Sequence, residues 1–168
     1  MIRKFTTDLT GQISPAGPLA VRSPPCETGT KEAPWKCSDL PMSLSFDGRI
    51  WLIGGWYNGR LPGHGASREV WSSTDGVNWT MATKDAGWSP RFAAGAVVFK
   101  GRMWILGGTE DYYFGDDASL KNDVWSSADG EDWKRETASA PWSPRAYHAA
   151  VVHDGKLWVI GEIGRAHV

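Results

Sequence analysis

A chain of 168 residues with 18 basic against 19 acidic side chains carries a formal net charge of −1, which leaves no global basic field to hold nucleic acid. No run is apolar and long enough to span a membrane as a helix, and residues 1–32 have no continuous apolar core of the secretory kind, which leaves the compartment open. Cys26 and Cys37 stand eleven residues apart, fit no zinc spacing and read as unpaired small residues, with a disulfide as the alternative for an exported chain.

Taken in chain order, residues 1–32 mix proline, glycine, serine and threonine without periodicity and read as an irregular leader. A repeat then begins: "APWKCSDLPMSLSF" at 33–46 aligns without gaps to 140–153. The pair Asp47-Gly48 is the signal of a tight hairpin turn, and it leads into a predicted strand over 49–53. A long connection over 56–68, a strand at 69–73, the turn "STDG" and a strand at 78–83 complete the unit. "WSPRFAAGAVVF" at 88–99 restarts the cycle, with strands predicted over 94–99, 102–106, 123–127 and 132–137 and a second long connection over 109–122. "WSPRAYHAAVVH" at 142–153 restarts it once more, with strands over 148–153 and 156–160 around Asp154-Gly155. "VWSSTDGVNW" at 70–79 returns as "VWSSADGEDW" at 124–133, 54 positions later, and of 11 tryptophans only Trp56 falls outside the repeat. The second strands are apolar almost throughout, which suits strands covered on both faces. No stretch combines a 3.6-residue apolar period with caps, so almost no helix is expected; the fold class is all-β, built of repeated four-stranded antiparallel sheets.

Four short strands per unit of about fifty residues, closing on Gly54-Gly55 and Gly107-Gly108 with spaced tryptophans, describe a propeller blade. On these residues the sequence resembles the kelch-type, galactose-oxidase-like β-propellers, over roughly 33–161. The resemblance implies a partial β-propeller with a first blade over 33–86, a second over 87–139 and the first half of a third over 140–161. The hairpins around Ser73, Asp75, Gly76 and Trp79, and around Ser127, Asp129, Gly130 and Trp133, are similar to the Asp-box turns of sialidase-like propellers. They are one residue shorter and are taken as a turn solution only. A propeller closes its ring with about four to eight blades, so the chain is expected to be a piece of a longer protein. Residues 162–168, "EIGRAHV", leave the pattern, and their back-translation resembles the start of a sequencing-library adapter; a non-native tail is expected there.

Function is sought first in the two long connections, because hairpin turns are held by the sheet while connections are free to vary. The first offers Trp56, Tyr57, Arg60, His64 and Arg68; the second offers Glu110, Asp111, Tyr112, Tyr113, Asp116 and Asp117. A cationic-aromatic loop beside an acidic-aromatic loop suits a sugar, since ring faces stack on C–H surfaces and charged ends reach hydroxyls. The same residues also read as solvated loops whose tyrosines pack on a blade edge. Arg91 and Arg145, each in "SPR", and His148 form the second set. The resemblance implies that such arginines border the mouth of the axial channel, where a fork of fixed donors suits a carboxylate or phosphate. The first blade departs, with Ser38 in the arginine's place, and in the second blade Ala94 stands where His148 does. Hydrogen bonding between blades is the other reading of these arginines. The repeated tryptophans are expected to fill the wedges between stacked sheets.

Enzyme chemistry fits less well. The copper and cysteine-linked tyrosine of galactose oxidase have no counterpart around Cys26 or Cys37, and of the arginine triad, tyrosine and acid of sialidases only arginines can be nominated. "DYYFGDD" lacks the alternating oxygen ligands of an EF-hand loop. Sialic-acid mutarotase activity, known among kelch-like bacterial propellers, stays open. The reading is therefore a protein- or glycan-binding module, with part of a carbohydrate-active propeller enzyme as the alternative. Neither cofactor, nucleic acid nor membrane is expected as a partner, and open strand edges make self-association a further expectation.

Overall fold

The computed structural model describes residues 34–36, 38–57, 62–111 and 117–161. The chain divides into two units, Met1–Trp35 and Lys36–Val168, and every described strand belongs to the second. In chain order these are β1 (Ser38–Asp39), β2 (Met42–Phe46), β3 (Arg49–Ile53), β4 (Trp56–Tyr57), β5 (Gly65–Ala66), β6 (Val70–Ser73) and β7 (Thr80–Thr83). They continue with β8 (Gly95–Phe99), β9 (Arg102–Thr109), β10 (Leu120–Ser127), β11 (Lys134–Thr137), β12 (Ala149–His153) and β13 (Lys156–Ile160). The one helical element among the described residues is a 3₁₀ turn at Asp117–Ser119, and no described helix is long and apolar enough to cross a membrane.

Two four-stranded antiparallel meanders result, β2-β3-β6-β7 and β8-β9-β10-β11, followed by the β12-β13 hairpin. The fold is all-β, a partial β-propeller. The first strands come together, with β8 lying against both β2 and β12. The hairpin turns have the conformation their sequence demands: Asp47 and Gly48, Lys100 and Gly101, and Asp154 and Gly155 all take positive φ, the two-residue turn whose twist matches flanking strands.

Two departures from the predicted elements have simple causes. The connection at 56–68 is not a free loop: β4 and β5 pair with each other and with β1 in a small three-stranded sheet. Strands of two residues carry no period, so nothing in the sequence announces them. β9 and β10 run three residues further than predicted, because Gly108 and Thr109 still pair with Lys121 and Leu120 beyond a register shift.

The paired glycines explain how one sheet meets the next. Gly54 and Gly107 sit at φ 59° and 60°, and a Cβ there would lie 2.6 Å from the Arg91 carbonyl oxygen and 2.9 Å from that of Arg145. Only glycine admits that approach. The gain is a backbone staple: Gly55 N–H donates to Arg91 O (3.0 Å) and Arg91 N–H to Ser67 O (3.0 Å). Gly108 N–H and Arg145 N–H repeat both bonds, to Arg145 O (2.9 Å) and Lys121 O (3.0 Å).

The core lies between the first two sheets, where Met42, Trp51, Ile53, Val70, Trp88, Met103 and Ile105 are buried together. Trp88 meets Trp133 edge-on at 6.0 Å, so these rings fill the inter-sheet wedge. Trp51, Trp104 and Trp158 each donate the indole N–H to the carbonyl five residues earlier, Phe46, Phe99 and His153. The serine-aspartate hairpins are also duplicates. Ser73 Oγ accepts from Gly76 N–H (2.8 Å) and Asp75 Oδ1 from Asn78 N–H (2.7 Å); Ser127 and Asp129 do the same for Gly130 (2.8 Å) and Asp132 (3.0 Å).

Candidate functional site

Arg91 is fixed by every donor it has. Its side chain is 1% exposed and closes a two-point pair with Asp123, Nη1 to Oδ1 at 2.5 Å and Nη2 to Oδ2 at 3.0 Å. Nη1 also donates to Gly107 O, Nη2 to Ser89 Oγ and Nε to Ser89 O. All five N–H groups are thus spent within the blade, and a ligand at this fork would have to displace Asp123. Burial raises the Asp123 carboxyl, but the Arg91 hydrogen bond and charge outweigh it, and the group ends below the usual carboxylate range. Asp123 also accepts from Trp125 Nε1 (2.7 Å). Sequence reasoning missed Asp123, although its signal was present: an acid two residues before the repeated tryptophan, Glu69 before Trp71 and Asp123 before Trp125. Glu69 accepts from Trp71 Nε1 (3.1 Å) in the same way.

Arg145 repeats only half of this arrangement. Nε donates to Ser143 O (3.0 Å) and Nη1 to Gly161 O (2.8 Å), and the guanidinium lies over the Trp142 ring at 5.9 Å. Among the described residues no carboxylate meets it. His148 lies close by at 7% exposure, 6.1 Å from the Trp142 ring, and neither ring nitrogen makes a hydrogen bond. Its imidazole fills the space left by two glycines: a Cβ at Gly95 would fall 2.8 Å from Nε2, and one at Gly107 3.2 Å from Cε1. Burial, then the Arg145 charge, push the His148 pKa down to about 4; the Leu106 backbone opposes this only weakly, from outside hydrogen-bonding geometry. A neutral, unpartnered imidazole beside a partly free guanidinium is the most chemically unusual pair in the described structure.

The aromatic connection divides. Trp56 is buried, stacked on His64 at 5.3 Å and packed on Phe92 at 5.3 Å, so its ring holds the small sheet to the blade. Tyr57 is half-buried on the wall of an open cleft of about 220 Å³, lined by Lys36, Ala66, Ser67, Arg68, Glu69, Lys84 and Pro90. Lys36 Nζ stands 4.4 Å over the Tyr57 ring, and Arg68 pairs with Asp85 at 3.0 Å. Lys36 and Lys84 escaped sequence reasoning because they lie 48 residues apart in different connections. Arg60, Tyr112, Tyr113 and Asp116 lie outside the described residues, as do Cys26 and Cys37. Among the described residues no group of three His, Cys, Asp or Glu side chains is placed to hold a metal ion.

No protein-family model matches the chain. No curated protein matches it either. Among solved structures it is similar to one described as "Structure of YjhT", at 18% identity and a TM-score of 0.57, over 73% of this chain. The chain spans 43% of the length of that structure. The likeness supports the β-propeller fold.

Proposed function

We propose that the chain is a β-propeller binding module for protein or glycan ligands, and that an acid-bearing glycan is the ligand its open cleft suits best. The observation that carries this reading is the lining of the cleft: the Tyr57 ring, flanked by Lys36, with Lys84 and an Arg68 already paired with Asp85, beside the carboxylate Glu69. A ring face stacks on the C–H side of a sugar while ammonium groups take its acid. A volume of about 220 Å³ suits one sugar residue of a longer chain. Titration with acidic and neutral oligosaccharides, followed by amide shifts around Tyr57 and Lys84, tests it. Binding of the acidic series alone is expected; equal binding of both series, or of neither, overturns it.

A second reading, part of a carbohydrate-active propeller enzyme, is favoured by His148, a buried imidazole whose ring nitrogens have no hydrogen-bond partner among the described residues. Anomer exchange or glycoside cleavage, lost on replacing His148, is the measurement for this reading. Turnover that survives that replacement removes it.

A further inference from the structure

We infer that Glu69 is the specificity-determining residue of the Tyr57 cleft: its carboxylate accepts hydrogen bonds from ligand hydroxyls and turns away anions that bring none. The inference rests on the reading of this cleft as a glycan site, and names what separates an acidic sugar there from any other polyanion. Glu69 is the counterpart of Asp123, an acid two residues before the repeated tryptophan. Asp123 gives both oxygens to Arg91, which precedes the first strand of its own sheet, β8-β9-β10-β11. In the first sheet Ser38 stands at the arginine's position, so the acid is kept and its guanidinium is not. Ser38 and Glu69 are both described residues, and the difference is one of residue type within a single repeat.

What remains around Glu69 still fixes it in place. Its N–H donates to Ser67 Oγ (3.1 Å), its carbonyl accepts from Gly54 N–H (2.9 Å), and Oε2 accepts from Trp71 Nε1 (3.1 Å). Oε1 has no hydrogen-bond partner among the described residues. Lys36, Arg68 and Lys84 share the cleft wall with Glu69, yet none of them closes an ion pair with it. A carboxylate only accepts, so the group that completes it must bring a donor. A sugar hydroxyl does so, with the added strength of a bond to a charged acceptor. The Tyr57 ring in the same wall receives the sugar's C–H face. An anion without hydroxyls gains the same ammonium groups but sets its charge against an unpaired carboxylate. Discrimination is large where a site is built around a ligand hydroxyl, because the analogue lacking it leaves the site's polar group unmet. The second sheet does not repeat the set: Glu110 and Ala138 stand where Tyr57 and Lys84 do, and Glu110 pairs with Lys121 at 3.1 Å.

The probes are a tetramer of galacturonic acid and a tetramer of acrylic acid, which carry equal numbers of carboxylates, with ring hydroxyls in the first alone. Titrated into the full chain, the uronate is expected to bind the tighter. Glu69→Gln keeps the side chain's size and an oxygen for Trp71. It should weaken the uronate roughly tenfold, the loss of a charged acceptor. At the same time it should tighten the acrylate tetramer severalfold, through removal of a like charge. Tightening of both probes would make Glu69 a repelling charge and nothing more. Weakening of both would make it structural, and an unchanged uronate would give it no part in binding. Each of these three results overturns the inference while the glycan reading stands. No binding of the uronate to the parent chain overturns that reading and the inference with it. A variant that folds poorly cannot imitate two probes moving in opposite directions.

Discussion

Asp123 holds Arg91 through both carboxylate oxygens across 32 residues of sequence, tying the loop before β8 to the start of the Val-Trp-Ser-Ser strand. Removing one partner of so enclosed a pair strands the other, at a cost of about 3–5 kcal/mol. Asp123→Ala and Arg91→Ala should both lower the unfolding free energy measured by urea titration by an amount in that range. Arg145→Ala removes the equivalent side chain where no carboxylate among the described residues answers it and should cost under about 1 kcal/mol. Equal losses at Arg91 and Arg145 would contradict the assignment of the energy to the ion pair. Because the Asp123 carboxyl titrates lower folded than unfolded, this contribution is full at neutral pH and disappears as pH falls through the folded value.

His148 gives a pH dependence of its own. Its folded pKa of about 4 lies below the ordinary histidine value of 6.5, so the unfolded chain binds the extra proton first. Stability should be full above about pH 6.5, decline as pH falls toward 4, and lose no more from this group below that. The total is about 3 kcal/mol at most for a shift of this size. Denaturant midpoints between pH 7 and 4, compared with His148→Leu, isolate the effect. A variant that declines as steeply as the parent over that window would remove His148 as the cause.

Gly76 and Gly130 occupy the same turn position at φ 74° and 80°, yet they face different surroundings. A Cβ at Gly130 would fall 2.1 Å from Trp51, whereas the nearest atom to one at Gly76 is Ile50 Cδ1 at 3.6 Å. Gly76→Ala therefore meets the backbone penalty alone, about 1–2 kcal/mol, while Gly130→Ala adds an overpacking cost of about 1–3 kcal/mol. Thermal melts of the two single variants should separate clearly, with the Gly130 variant the lower.

Binding at the Tyr57 cleft should be electrostatic in part. Lys36→Ala and Lys84→Ala should each weaken an acidic glycan severalfold and flatten its salt dependence, leaving the melting temperature within a degree or two. Substitutions that unfold the small sheet instead would show Lys36 as a structural residue.

The strands were legible because hairpin turns and apolar runs are local signals, and Asp47-Gly48 and Lys100-Gly101 turn as their composition requires. The small sheet was not, because β1, β4 and β5 contribute two residues each and take their pairing from tertiary contact. Arg91, Arg145 and His148 were singled out by position in the repeat, but their different situations depend on partners far along the chain. An arginine in "SPR" looks the same whether a carboxylate such as Asp123 answers it or, as for Arg145 among the described residues, only backbone carbonyls do. Trp56 was nominated beside Tyr57, and only packing separates them: one ring is covered by His64 and Phe92 while the other lines the cleft.

The glycine staples put the repeat of the sequence and the repeat of the packing out of phase. Trp88 follows β7 and precedes β8, yet it is buried with Met42, Trp51, Ile53 and Val70 of the first sheet, and Arg91 just after it is bonded to Gly55. Anyone cutting this chain between sheets to build a longer or shorter array would carry away the wedge and clasp of the sheet left behind. Residues 86–94 belong to both sheets at once, since the Arg91 backbone is clasped to Gly55 and Ser67 while its side chain is bonded to Gly107 and Asp123, so a cut on either side of them opens a junction.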